Sequence, residues 1–568
     1  MSFQLKSSKN TQLVAAFRRI VGHRHVLTAS GRMEQYCKGY RSGGGPAIAV
    51  VKPKTLLEQW QVLELATASD IIIIMQAANT GLTEGSTPNG TYDRDTVIIS
   101  TTRMKQIQII REGRQIISFP GATLFDLEKK LKPLNRVPHS VIGSSCIGAS
   151  IMGGVCNNSG GALVERGPAY TELALYAQIN SEGHLELVNH LGINLGNDPE
   201  TILNRLEAAE YSKNDIINND AQASDTDYQK RVRDVDAKTP ARFNADPRRL
   251  HDASGCAGKL AVFAVRLDTF EPSDREAVFY LGTNNPECFT KLRREFLSQF
   301  KVLPVSGEYM HRDTYDLSKT YGKDLLILID KLGTEQLPNF FALKSWLDTL
   351  LAKLPFISER FSDRFLQILS RLWPDQLPAR MEDFRNRFDH HLIIKSQGDG
   401  IEEVKNYLAQ QNITQKLGWF ECTNREARVA TLHRFVAAGA AIRYQKINTS
   451  AVEDIIALDI ALRRNDLDWF ESLPDKVTSG ISHKLYYGHF FCHVLHQDYI
   501  IKKGFDPQRI KAQLLEILDQ RGARYPAEHN VGHLYQASDD QANFYRECDP
   551  TNSFNPGIGK MSKKRHYT

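Results

Sequence analysis

The chain has 568 residues, 41% hydrophobic and 24% charged, the proportions of a globular protein too long for one compact domain. Lys plus Arg number 71 and Asp plus Glu 66, and the resulting net charge of +5 is too small over this length to point to nucleic acid. No run approaches the ~20 apolar residues needed to span a bilayer. Met1–Asn10 has no signal-peptide core, and the eight cysteines form no C-x-x-C pair, which argues against zinc-knuckle, iron–sulfur and disulfide frameworks.

In chain order, residues 12–30 read as a short amphipathic helix, Gly39–Pro46 as a Gly-rich turn and Ala47–Val51 as a strand closed by Pro53. Leu56–Ala68 repeats apolar residues at helical spacing and Ile71–Met75 is strand-like, so the chain opens α, β, α, β. The Gly-rich loop Gln76–Gly90 and a strand at Thr96–Ser100 follow, then strands and turns to about residue 270. The polar stretch 195–245 is expected to be a surface excursion with no core of its own. A strand is expected over Ala277–Gly282 and a helix over Pro286–Phe300. Residues 311–387 carry Trp and Phe among Lys and Arg, with Pro breaks. Helix and strand alternate again to about 520, and the tail 521–568, rich in His, Asn, Pro and Gly, is expected to pack back onto another domain.

Two Gly-rich segments carry chemistry. Met75–Ser86 follows a strand and is crowded with small and hydroxyl residues, so its backbone N–H groups can approach phosphate oxygens. It fits neither G-x-G-x-x-G nor G-x-x-x-x-G-K-[ST], which counts against a nicotinamide site and a P-loop. Gly143–Gly161 holds six glycines in nineteen residues, as a flat cofactor ring lying against backbone would demand. Either loop alone is also compatible with a set of tight turns.

The pair resembles the pyrophosphate loop and ring-contacting segment of the vanillyl-alcohol oxidase family of FAD proteins. Ser254–Val262 resembles that family's "SEGTLGIIT" strand and Asp549–Lys560 its "NPGK" signature. That likeness covers the chain from about residue 30 to 560, and the whole sequence resembles the quinone-dependent D-lactate dehydrogenases of bacterial respiratory chains, most distinctively over Gln76–Gly90, His139–Gly161 and Tyr525–Tyr535. The resemblance implies an α+β fold: a two-subdomain FAD-binding domain with a ferredoxin-like α/β cap and a mostly helical membrane-docking insertion. The implied division is 1–270 for the FAD-binding domain, 271–310 and 388–520 for the cap, 311–387 for the docking insertion, a second docking piece near 426–449, and 521–568 for the return to the FAD-binding domain. It also implies that Ala77, Ala78, Asn79, Thr80, Gly81, Gly85 and Ser86 hold the pyrophosphate and that Gly143, Ser150, Gly160 and Val262 line the flavin. Residues 75–90 contain no His or Cys to tether it, so non-covalent FAD is expected.

Oxidising a 2-hydroxy acid requires a base for the hydroxyl and a cation for the carboxylate, while the flavin takes the hydride. His529 in Glu528-His529-Asn530 resembles the family's "EHG" base, with Glu528 orienting it or binding metal; read alone, the segment is also compatible with surface histidines. His489 and His496 match the outer histidines of "GHxGDGNxH", implying with Glu528 a divalent site such as Zn²⁺, but the Asp and Asn of that motif are missing between Phe490 and Leu495. Histidines packed among aromatics fit those residues equally. Arg443 is the candidate for the substrate carboxylate. Residues 340–374 interleave apolar and basic residues, which fits either an amphipathic helix pair on the core or a segment lying on an anionic phospholipid surface. The resemblance favours the latter, with D-lactate and a membrane quinone as partners and peripheral placement on the cytoplasmic face of the inner membrane. Open alternatives are a dehydrogenase of D-2-hydroxyglutarate or glycolate and a non-catalytic flavin-fold binding protein.

Overall fold

The computed structural model describes residues 2–140, 148–218, 220–333, 361–411 and 417–568. The first sheet holds β1 (Val26–Leu27), β2 (Ala49–Val51), β3 (Ile72–Gln76) and β4 (Thr96–Ser100) in the order β1-β2-β4-β3. β4 runs parallel to both β2 and β3. Parallel strands covered on both faces read as near-continuous apolar runs, and Val50, Val51, Ile72, Ile73, Ile74, Val97, Ile98 and Ile99 are all fully buried. The crossover helix Leu56–Ala68 starts where Thr55 accepts the Glu58 N–H at 3.0 Å, a side-chain cap.

The helix expected over 12–30 instead spans Ser2–Val21. Leu13, Val14, Phe17 and Val21 form its buried stripe, and Gly22, at φ +85°, ends it before β1. The second sheet is antiparallel, β5 (Ile107–Ile110), β6 (Gln115–Ser118), β7 (Ala174–Ile179), β8 (Leu185–Asn189) and β9 (Ala261–Asp268), in the order β5-β6-β9-β7-β8.

The stretch 195–245 is not the loose excursion its polarity suggests. Its helix Pro199–Ala208 buries Ile202, Leu203 and Leu206 in the core shared with the first sheet. Tyr228 and Val232 enter the core of the third sheet, and Arg242 and Asn244 are almost wholly buried. Composition missed this because the burying residues are few and their partners distant in sequence.

The third sheet is antiparallel: β10 (Glu276–Thr283), β11 (Ser306–His311), β12 (His390–Gln397), β13 (Leu417–Glu421), β14 (Val452–Ala461), β15 (Ile481–His489) and β16 (Val494–Lys502), in the order β13-β10-β12-β11-β15-β16-β14. Its first four strands, with helices Pro286–Gln299 and Gly400–Gln411 as crossovers, have the fourth-first-third-second order of a ferredoxin-like unit. Between β11 and β12 lie helices Arg312–Tyr321, Lys323–Leu332, Phe361–Arg371 and Ala379–Arg387.

The tail returns to the first sheet. Phe554, fully buried, bridges Ile73. The Ile73 N–H donates to Ser553 O at 2.9 Å and the Asn555 N–H to Ile73 O at 3.0 Å. Buried Lys259 donates to Asn552 Oδ1 at 2.7 Å and Phe554 O at 2.9 Å.

Candidate active site

The loop after β3 is folded by its own side chains. Asn79 Nδ2 donates to Lys38 O at 2.9 Å, Ser86 Oγ to Asn79 Oδ1 at 2.8 Å, and Gln76 Nε2 to Ser86 O at 2.7 Å. Among the described residues, no backbone N–H from Ala78 to Ser86 has a protein acceptor. Nothing lies within 4 Å of a Cβ placed on Gly81. A row of unspent donors with open space at Gly81 fits an anionic pyrophosphate. Asn555 Nδ2 donates to Gly85 O at 2.8 Å and to Ala257 O at 2.9 Å, so the C-terminal signature clamps this loop to the segment before β9.

Of the expected flavin-lining residues, Gly143 lies outside the described residues. The Ser150 hydroxyl caps helix Ile151–Cys156, accepting the Gly153 N–H at 3.0 Å. Val262 is buried in β9. Gly160 is a close-approach glycine, since a Cβ there would come within 2.5 Å of Glu528 Oε1. His139 is buried, and among the described residues neither ring nitrogen has a hydrogen-bond partner. Burial, helped by Arg166, lowers its pKa to about 4, so it is a neutral imidazole with both nitrogens unspent.

The catalytic candidates converge on one point. Asp459, near the end of β14, accepts from His529 Nδ1 at 2.7 Å and from the backbone N–H groups of Glu528 at 2.7 Å and His529 at 3.2 Å. Among the described residues His529 Nε2 is left without a hydrogen-bond partner, on a side chain 31% exposed. Burial alone would lower its pKa, but Asp459 more than compensates and the value is raised. Glu528 is held by Arg242, whose Nη2 donates to Oε1 at 2.9 Å and also to Gly161 O. Asn244 Nδ2 donates to His529 O.

His489 ends β15, and a tight turn returns the chain so that the His489 and His496 rings lie 5.4 Å apart. Phe490, Phe491 and Cys492, where the resembled motif has polar residues, are buried in the core of the third sheet. His489 Nε2 is 3.3 Å and His496 Nε2 3.8 Å from Glu528 Oε2. Their Nδ1 atoms face other carboxylates, Glu308 at 2.7 Å and Asp459 at 3.5 Å. Burial opposes a charge on His489, yet Glu308 and Glu528 raise its pKa to about 10. Burial lowers His496 to about 4.

Arg443 is not at this site. It pairs with Asp324 at 2.8 Å and Asp363 at 3.4 Å among the helices beside the cap, so its guanidinium is committed to carboxylates of the fold. Sequence reasoning also missed Asp459, Glu308, Arg242 and Asn244.

Residues 278–567 match the family model described as D-lactate dehydrogenase, membrane binding, and residues 47–183 that of the FAD binding domain. The chain is 56% identical over 564 residues to the quinone-dependent D-lactate dehydrogenase of Escherichia coli, covering 99% of each chain. It is 54% identical over 558 residues to that of Haemophilus influenzae, covering 98% of this chain and 99% of the relative. The chain belongs to the quinone-dependent D-lactate dehydrogenases. Among solved structures it is similar to 4-ethylphenol oxidase from Gulosibacter chungangensis, with a TM-score of 0.56 at 10% identity, covering 97% of both chains. It is likewise similar to p-cresol methylhydroxylase, with a TM-score of 0.55 at 11% identity over 98% of this chain and 97% of that one. The fold is thus the α+β FAD-binding fold of the vanillyl-alcohol oxidase type, and the FAD binding domain makes the protein a flavoprotein.

Within this D-lactate dehydrogenase family frame, the Asp459–His529 contact fixes the imidazole with Nε2 free, the arrangement a general base requires. Asp459→Asn should slow flavin reduction by on the order of a hundredfold while FAD stays bound, since base catalysis supplies roughly 10²–10⁴. Stopped-flow reduction kinetics alongside FAD content checks this, and an unchanged reduction rate would refute the orienting role.

Proposed function

We propose that this protein oxidises D-lactate to pyruvate at a non-covalently held FAD and delivers the electrons to a quinone at a membrane surface. The observation that carries this reading is His529, fixed through Nδ1 by Asp459 with Nε2 free, next to a Glu528 that packs against Gly160. The full-length relatives named for this reaction support the substrate and the acceptor. FAD, when bound, supplies the hydride acceptor. His529 Nε2 takes the hydroxyl proton, and the resulting imidazolium is stabilised by Asp459. Asp459 holds the backbone N–H groups of Glu528 and His529, and Asn244 holds the His529 carbonyl. Adding D-lactate anaerobically to the yellow protein should bleach the flavin, L-lactate should not, and His529→Gln should abolish bleaching with FAD retained. Equal bleaching by both isomers, or by the variant, would contradict the assignment. D-2-Hydroxyglutarate and glycolate run in parallel test the rival substrates.

We also propose that His489, His496 and Glu528 hold a divalent metal. Their donor atoms all lie within 4.8 Å of one another. Each imidazole has a carboxylate on its Nδ1 side, Glu308 or Asp459, which is how outer-shell groups orient metal-binding histidines. Three ligands leave a position open for the substrate hydroxyl. Elemental analysis should find a divalent metal at one per chain that is lost in His496→Ala; metal-free protein reducing its flavin at full rate would refute the site.

We propose the exposed face of helix Phe361–Arg371 as a membrane contact; residues 340–360 of the expected stretch lie outside the described residues. Helix Phe361–Arg371 is pinned through Asp363 to Arg443 and Lys446. It and the residue after it expose Phe365, Ile368 and Leu372 at 53%, 62% and 77%. That apolar row, with basic neighbours, suits shallow insertion into an anionic phospholipid surface. Among the described residues, no helix is long and apolar enough to cross a membrane. Ile368→Asp with Leu372→Asp should move the protein from sedimenting anionic vesicles to the supernatant with D-lactate-driven bleaching intact; unchanged sedimentation would contradict the docking face.

A further inference from the structure

A carboxylate substrate needs a cation that is not already committed. Near His529, Arg242 pairs with Glu528 at 2.9 Å. Arg434 pairs with Glu308 at 3.0 Å and lies over the Tyr487 ring at 4.6 Å. Arg41 differs. It is exposed, and among the described residues no hydrogen bond or ion pair engages its guanidinium.

The loop bearing Arg41 is tightly constrained. A Cβ on Gly39 would come within 2.1 Å of Ser42 O, and one on Gly43, at φ +79°, within 2.2 Å of Glu84 Cδ. Ser42 Oγ donates to Glu84 Oε1 at 2.7 Å, Lys38 bridges Gly44, and the Gly90 N–H donates to Gly44 O at 3.0 Å. Only glycines permit these approaches, and they fasten the loop to the pyrophosphate loop at Glu84. Next to it, Thr83 O accepts the His533 N–H at 3.0 Å. The loop bearing Arg41 is thus fastened beside Thr83, the residue that meets the segment carrying His529 and His533. Its charge acts on Asp498, Tyr487, Tyr535 and His529, which come from β16, β15 and the His529 segment.

We infer that Arg41 binds the carboxylate of the 2-hydroxy acid, opposite His529, which receives the hydroxyl proton. The inference rests on the proposed D-lactate reading. Carboxylate and hydroxyl sit on adjacent carbons, so the cation and the base must flank the same small molecule. A guanidinium fork can meet both carboxylate oxygens, which an ammonium cannot do as a point charge. The loop from the FAD-binding domain then closes the substrate site opposite the cap histidines and fixes two of the three points needed to tell enantiomers apart.

The test is anaerobic flavin reduction in wild type, Arg41→Gln and Arg41→Lys, with D-lactate and its uncharged analogue D-lactamide. Arg41→Gln should weaken the apparent Kd for D-lactate by on the order of tenfold or more, about 1.4 kcal/mol per tenfold. FAD content, the limiting reduction rate and D-lactamide kinetics should stay near wild type, and Arg41→Lys should recover part of the loss. Oxamate, titrated through its perturbation of the flavin spectrum, should show the same weakening without turnover. Unchanged D-lactate and oxamate affinities would overturn the inference. So would equal losses with D-lactate and D-lactamide, or loss of FAD with D-lactate affinity intact, which would assign the guanidinium to the pyrophosphate. If wild type is not reduced by D-lactate, the proposed function fails instead; the oxamate titration still reads Arg41 independently.

Discussion

One carboxylate oxygen joins the third sheet to the C-terminal return. Asp459 Oδ2, on β14, accepts from the His529 ring and from two successive backbone N–H groups of that return. Burial would raise the Asp459 pKa, but His529 and then His496 keep it low. A buried charge of this kind costs several kcal/mol unless it is paired and hydrogen-bonded, and here it is both. The same contact fixes the imidazole tautomer and seats the Glu528 carboxylate over Gly160, so the orientation of the base and the seating of its neighbour are one event.

The surrounding charges follow from that constraint. Asp459, Glu528 and Glu308 lie together in a largely buried space, where Arg242, Arg434 and His489 offset the charges of Glu528 and Glu308 and the His529 ring donates to Asp459. Arg242 ties Glu528 to Gly161, linking the cofactor segment to the base. Because removing one partner strands a charge on the other, the cluster is coupled, and a metal between His489, His496 and Glu528 would add positive charge where two carboxylates already converge.

Much of this was legible in the sequence. Periodicity located the first sheet because its parallel strands are continuous apolar runs, and the Gly-rich loops located the cofactor region. The motif around His529 and the seven-residue spacing of His489 and His496 located the histidines, since a hairpin returns the second beside the first. Asp459 left one signal, a lone acid in the apolar run Ile455–Leu462, which marks an ionisable group inside a buried strand. Arg242 left none, because it sits in a polar stretch whose partners lie 286 residues away in the case of Glu528. Arg443 misled because an arginine in a small-residue helix looks uncommitted until the fold brings Asp324 and Asp363 to it.

The central claim is that Asp459 acts on proton transfer chiefly by orienting His529. A double-mutant cycle on the anaerobic rate of flavin reduction by D-lactate, with Asp459→Asn, His529→Gln and the pair, measures this most directly. The account predicts strong non-additivity, with the double variant no slower than His529→Gln alone. Fully additive losses would mean that Asp459 and His529 act independently and would contradict it.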